Sequence, residues 1–180
     1  RSTVVILRMI SNWARLIYFT LKIWHSGEKF NYHYLASKIS ARMNFHIIPK
    51  INLGTKNWEL TIKNQDKPII YHPLQMYPEA TIDYWCNCLS DIDYDKKLVH
   101  IIKSFANNFH FLIKEHPNVL GLRSPNLYKS LFALNNVTIV PTHIDSNLVL
   151  DRSQAVLVWT GSTGFEAAIR GKPVLTICEP

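Results

Sequence analysis

Apolar positions change their spacing along this chain, and the changes divide it. In residues 12–24 they recur at Trp13, Leu16, Ile17, Leu21 and Trp24, the spacing of one helical face. Arg15 and Lys22 interrupt that run, which falls short of the roughly 20 consecutive apolar residues of a membrane span. An aromatic stripe of this kind is more often a helix packed on a neighbouring domain than an interfacial helix with Trp and Tyr at headgroup depth. Residues 30–43 read as a second helix, basic on its open face. Residues 44–67 are polar, with Pro49, Gly54 and scattered Asn. They read as an interdomain connection holding a short strand at 58–62.

From Pro68 onward short apolar runs alternate with helical patterns. Strands are predicted over 68–71, 109–114, 137–140, 155–159 and 174–177. Helices are predicted over 94–107, 126–134, 146–150 and 164–170, the last stopped by Gly171. Such alternation predicts an α/β fold with a parallel sheet and crossover helices. The later strands are apolar throughout, as expected where both faces are covered. The predicted organisation is a helical and linker segment over residues 1–67 and a Rossmann-like lobe over 68–180.

In such sheets ligands bind beyond the carboxyl ends of the strands, so three loops carry the candidate chemistry. The first is Tyr71-His72-Pro73-Leu74-Gln75-Met76-Tyr77-Pro78-Glu79. Glu79 or His72 there is a candidate catalytic base or sugar-hydroxyl ligand, and a structural role is an equal alternative. The second is Lys114-Glu115-His116-Pro117. Lys114 offers a point charge and His116 a donor to a phosphate or base carbonyl, with Pro117 setting the turn. The third is Trp159-Thr160-Gly161-Ser162-Thr163-Gly164-Phe165-Glu166. Gly161 and Gly164 permit close backbone approach, Ser162 and Thr163 add hydroxyls, and Glu166 is placed to accept from ribose hydroxyls. The ordinary alternative is a capped helix start, with Glu166 in a capping box to Thr163. Asp145-Ser146 reads first as a helix cap and only secondarily as sugar-facing.

Composition narrows the partners. Of 180 residues 47% are hydrophobic, which is enough for a core. Lys plus Arg total 20 against 13 acidic residues, a formal charge of +7. The excess suits anionic partners such as nucleotides, acidic glycans or a membrane surface. The basic residues are scattered, and no nucleic-acid signature is present. Cys86, Cys88 and Cys178 form neither a disulfide framework nor a zinc pattern, which favours the cytoplasm. Asp91-Ile92-Asp93 matches a metal-binding Asp-x-Asp in letters but sits where acidic residues open a helix. No metal is expected. The first residue is Arg, and the last residues stop as a strand ends. Both ends are expected to be cuts in a longer protein.

Taken together, Lys114-Glu115-His116-Pro117, Asp145-Ser146, the stretch Thr160 to Ala167 and Gly171-Lys172-Pro173-Val174 resemble bacterial capsule polysaccharide biosynthesis glycosyltransferases, relatives of the capsular β-Kdo transferases. The loop Tyr71 to Glu79 is similar to that family's Pro-Leu-His-x-x-Pro-Glu stretch, with Gln75 where the family has His. The resemblance covers residues 68–180 and implies the carboxyl-terminal lobe of a GT-B fold. It implies a nucleotide-sugar donor, with CMP-Kdo the candidate, and a glycan or lipid-linked acceptor. It places His116 and Pro117 on the nucleotide, Ser162 and Thr163 on the donor phosphate and Glu166 on the ribose. It implies no cofactor, and a location in the cytoplasm or at the inner face of the membrane. Three other readings stay open: a teichoic-acid-type polyol phosphotransferase, a nucleotide-sugar 2-epimerase, and a non-catalytic binding remnant. Trp159-Thr160-Gly161-Ser162 stands where the phosphotransferases show Asp-Tyr-Ser-Ser, which disfavours them.

Overall fold

The computed structural model describes Ala14, Tyr18 and residues 50–51, 54–75, 94–116, 123–159 and 161–177. The chain divides into two compact units, Arg1–Ile39 and Ser40–Pro180. The predicted helices at 12–24 and 30–43 lie outside the described residues, apart from Ala14 and Tyr18. The sheet and the candidate loops all belong to the second unit.

Its elements alternate along the chain: α1 (Trp58–Lys63), β1 (Ile69–Pro73), α2 (Tyr94–Ser104), β2 (His110–Lys114), α3 (Pro125–Phe132), β3 (Val137–Val140), α4 (Ser146–Asp151), β4 (Ala155–Val158), α5 (Thr163–Ile169) and β5 (Val174–Thr176). All strand pairs are parallel, in the order β3-β2-β1-β4-β5. The chain steps outward from β1 to β3 and then returns to place β4 on the other side of β1. This is the Rossmann-like parallel sheet with crossover helices that the alternation predicts.

β1 to β4 are buried on both faces because their alternate residues serve two cores, whereas the edge strand β5, expected to be covered as well, leaves Leu175 and Thr176 exposed. On one face Ile70, Phe111, Ile113, Ile139 and Leu157 pack with Tyr94, Leu98 and Ile102 of α2 and Leu127 and Leu131 of α3. On the other, Ile69, Tyr71, Leu112, Val140, Val156 and Val158 pack with Trp58 and Ile62 of α1, Val149 and Leu150 of α4 and Ala167 of α5. The strand period of two sends neighbours to opposite faces. Truncating a buried Leu in such a core to Ala costs about 2–5 kcal/mol.

The expected strand at 58–62 is a helix instead. A strand would bury Trp58, Leu60 and Ile62 together, but Leu60 is 57% exposed. Trp58 and Ile62 are four apart, so a helix puts both on the face turned to the core. Glu59 in its first turn and Lys63 in its last complement the helix dipole. The polar stretch before β1 thus supplies a core helix to the sheet. Elsewhere the predicted elements are found with shifts of a few residues at their ends. Ser124 caps α3 by accepting from the Asn126 N–H at 3.2 Å, with Pro125 in the first turn.

β3 is an edge strand, and residues 54–55 cover it. The Thr55 N–H donates to the Ile139 carbonyl at 2.8 Å. Gly54 has φ +52°, and a Cβ there would lie 2.6 Å from the Ile139 carbonyl oxygen. Gly171 ends α5 with φ +68° but has open space around it. We therefore expect Gly54→Ala to lose about 2–4 kcal/mol, strain and clash together, against about 1 kcal/mol for Gly171→Ala. Urea unfolding of the two variants measures the difference; equal losses would mean that the edge cover does not hold at Gly54.

Candidate functional site

The return of the chain between β3 and β4 makes a switch point between β1 and β4, and the helices that follow these strands, α2 and α5, pack on opposite faces of the sheet. The loops meet there. A Cβ on Gly161 would lie 2.8 Å from Gln75 Oε1, so the absence of a side chain lets the β4 loop close onto the β1 loop. Gly164 is similarly constrained, with Val158 and Val174 methyls 3.1 and 3.4 Å from where its Cβ would be.

The helix after β4 begins at Thr163. Ser162 stands in the cap position with αR dihedrals and makes no side-chain cap hydrogen bond. Glu166 is then a residue too late for a capping box, and its side chain is exposed. The capping alternative therefore does not use these side chains: Ser162 and Glu166 face outward at the strand end. Thr160 lies outside the described residues.

Lys114 closes β2. Parallel register pairs it with Pro73 and Val140, and alternation puts it on the α4 and α5 face with Leu112. It is only 6% exposed. Burial pushes its pKa down, and the nearby Asp145 and Glu115 carboxylates partly restore it. Asp145 caps α4, its Oδ1 accepting from the Asn147 N–H at 2.9 Å. His116 is half-buried. Its backbone N–H is held at 2.6 Å by Glu115 Oε1. Pro117 and Glu79 lie outside the described residues, as do Cys86, Cys88, Cys178 and Asp91-Ile92-Asp93.

Glu115 is the organising group that no periodicity singles out. It is 1% exposed. Besides the His116 amide it accepts from Arg123 Nε at 2.7 Å, Arg123 Nη2 at 3.1 Å and the Tyr128 hydroxyl at 2.9 Å. Arg123 also donates to the Gln75 carbonyl and lies over the Tyr94 ring, 5.8 Å from its centroid. Burial works against the guanidinium charge, but Glu115 outweighs it and holds the pKa above its ordinary value. Tyr94 in turn packs on Trp159 at 4.8 Å. Carboxyl-end residues of β1, β2 and β4 are thus joined through α2 and the residue preceding α3's cap. An acid beside an apolar strand end (Glu115) and a base just before Ser124-Pro125 (Arg123) are visible in sequence, but nothing there pairs them.

His72 occupies the same network. It is fully buried. Nδ1 lies 2.8 Å from the Leu157 carbonyl, which can only accept, so Nδ1 carries the proton. Nε2, 3.0 Å from the Tyr94 hydroxyl, then accepts from it. The phenol oxygen itself accepts from the Gln75 N–H at 3.2 Å. Both ring nitrogens are committed, so His72 offers no open nitrogen to a substrate in this arrangement. It ties β1 to β4 from below the loops.

Burial, foremost, lowers the His72 pKa from 6.5 to about 4, the Leu157 carbonyl opposing and Arg123 assisting. Between these values the unfolded chain takes up a proton that the folded chain refuses. The stability is full above pH 6.5 and falls as pH drops toward 4, by about 3 kcal/mol for this group. We expect urea midpoints to fall between pH 7 and pH 4.5, and His72→Gln to flatten that slope by about one proton. A parallel slope in the variant would show that the imidazole is already charged in the fold.

The family described as capsule polysaccharide biosynthesis protein matches residues 24–180. Among solved structures the chain is similar to the β-Kdo 2,7 transferase KpsC of Thermosulfurimonas dismutans, with TM-score 0.51 and 19% identity over 88% of this chain and 45% of that one. It is also similar to the UDP-GlcNAc 2-epimerase of Methanocaldococcus jannaschii, with TM-score 0.45 and 16% identity over 76% of this chain and 36% of that one. The chain thus spans less than half the length of either structure. No curated protein sequence matches it. Among the described residues no helix is long and apolar enough to cross a membrane, and no group of three His, Cys, Asp or Glu side chains is placed to hold a metal ion. With a family match running through the sheet and all three strand-end loops, the chain belongs to the capsule polysaccharide biosynthesis protein family.

Proposed function

We propose that this unit is the nucleotide-sugar-binding lobe of a capsule polysaccharide glycosyltransferase. The observation that carries the reading is the meeting of Gly161 and Gln75 at the switch point, with Lys114 on the adjacent strand end and Ser162 and Glu166 turned outward beside it. Family membership supports the pathway, and the likeness to KpsC supports the fold.

In this reading the donor lies across the carboxyl ends of β1, β2 and β4. Lys114 and His116, next to Pro117 in the sequence, face the nucleotide phosphate. As the glycosidic oxygen leaves, negative charge grows on that phosphate. A buried ammonium and an imidazole N–H stabilise it more strongly there than in water. The Ser162 and Thr163 hydroxyls add donors, and Gly161, closed onto Gln75, and Gly164, packed on Val158 and Val174, hold the loop that carries them. Glu166 accepts from the ribose. Glu79, at the far end of the β1 loop, is the candidate base toward the acceptor. The transferred sugar passes from the nucleotide to a glycan or lipid-linked acceptor by direct displacement at the anomeric carbon, with the nucleotide phosphate as leaving group. CMP-Kdo is the proposed donor.

Calorimetric titration with CMP, CDP and UDP tests the reading. We expect CMP to bind most tightly, and His116→Ala and Ser162→Ala each to weaken it about tenfold, the loss of one hydrogen bond to a charged group. UDP preference would move the donor to the UDP-sugars and favour the epimerase alternative. Absence of binding to all three by a folded sample would remove the donor site from these loops.

A further inference from the structure

Tyr71 is fully buried, and its hydroxyl is the one buried side-chain polar atom among the described residues that has no hydrogen-bond partner. Leaving a buried hydroxyl unsatisfied costs about 1–3 kcal/mol, and Phe would fill the same space without that penalty. A cost of this kind at the centre of a sheet calls for a functional account.

Its position supplies one. Tyr71 lies on β1 beside the switch point, paired with Leu112 of β2 and Val156 of β4. It shares the α4 and α5 face with Lys114. Two exposed carboxylates stand over that face, Asp145 capping α4 and Glu166 in the first turn of α5. Both act on the phenol. Burial, foremost, pushes its pKa up to about 12; the half-buried Ser146 hydroxyl opposes, and Glu166 and Asp145 add to the rise. The Ser146 hydroxyl acts on the phenol as a hydrogen-bonding side chain, though the pair does not reach the geometry of a formed bond. The phenol therefore keeps its proton at any working pH and is a donor.

The neighbours select the acceptor. An anionic oxygen brought to the phenol would be repelled by both carboxylates, and the Lys114 charge on the same face is already offset in part by Asp145 and Glu115. A neutral hydroxyl pair suits the set better: one hydroxyl gives its proton to Glu166 while an oxygen of the pair takes the phenol's. We propose that Tyr71 donates a hydrogen bond to a ribose hydroxyl of the bound nucleotide, with Glu166 accepting from the same diol as the Ser146 side chain turns aside. Tyr71 is then a residue that reads the sugar of the nucleotide. The proposal rests on the donor-lobe reading above and adds a residue to it.

The test compares wild type with Tyr71→Phe. Thermal unfolding is measured without ligand. Calorimetry is run with whichever of CMP, CDP and UDP binds most tightly, and with its 2′,3′-dideoxy counterpart. The expected result has three parts: the variant unfolds at the same or a higher temperature, binds the ribonucleotide about five- to tenfold more weakly, and binds the dideoxynucleotide as wild type does. A lower unfolding temperature in the variant would show that the hydroxyl has a partner inside the protein and would overturn the proposal. Unchanged ribonucleotide affinity, or equal loss for both ligands, would overturn it while leaving the donor lobe standing. Failure of wild type to bind any of the three nucleotides would remove the donor-lobe reading and this one with it.

Discussion

The buried Glu115–Arg123 pair is the interaction on which the site end of this lobe depends. Its side chains are 1% and 3% exposed, so neither charge is solvated by water. Isolated, each would be expensive, and removing one partner from such a pair costs about 3–5 kcal/mol because the other is left uncompensated. Here the remaining hydrogen-bonding capacity is also used. The carboxylate takes the Tyr128 hydroxyl and the His116 amide, and the guanidinium reaches the Gln75 carbonyl. The pair is therefore a fastener between loops as well as an ion pair. It holds the backbone at His116, and it holds Gln75, against which Gly161 closes.

That fastener sits on one side of the sheet, and the candidate chemistry sits on the other. The α2 and α3 side is dry at its carboxyl end: His72, Tyr94, Trp159, Arg123 and Glu115 are buried and mutually bonded or packed. On the α4 and α5 side a buried cation and a buried phenol lie beneath exposed acids. The split follows from strand geometry. Lys114 and Glu115 are consecutive at the end of β2, so pleating turns one to each face. One short motif thereby supplies both a candidate ligand contact and the anchor that positions it. The neutral His72 belongs to the anchor. Its tautomer is dictated by the Leu157 carbonyl, and its other nitrogen holds the hydroxyl of Tyr94.

Much of this was legible from the residues alone. The α/β class, the parallel sheet and the strands and helices from Pro68 onward follow from hydrophobic period and from caps and stops, because these are local properties. Val137–Val140 is a β-branched run ended by Pro141, and Gly171 marks the end of α5 by adopting φ +68°. The strand-end loops were legible as the site region for the same reason: a strand buried on both faces leaves only its ends for polar chemistry. The stretch at Trp58 misled because six residues give too short a window to separate period two from period 3.6. The exposure of Leu60 and the burial of Ile62 separate them only once there is a core to face.

Sequence by itself thus determined the order of elements, the class of sheet and the loops where charged and small residues gather, since each depends on neighbours along the chain. Tertiary structure alone decided which of those residues are interior. It put His72 under Tyr94, paired Glu115 with Arg123 and left the Tyr71 hydroxyl buried without a partner. Those outcomes depend on strand order and on which face each residue meets. Bringing β4 beside β1 joins residues 85 apart, as His72 and Leu157 are, and no periodicity within either strand encodes that pairing.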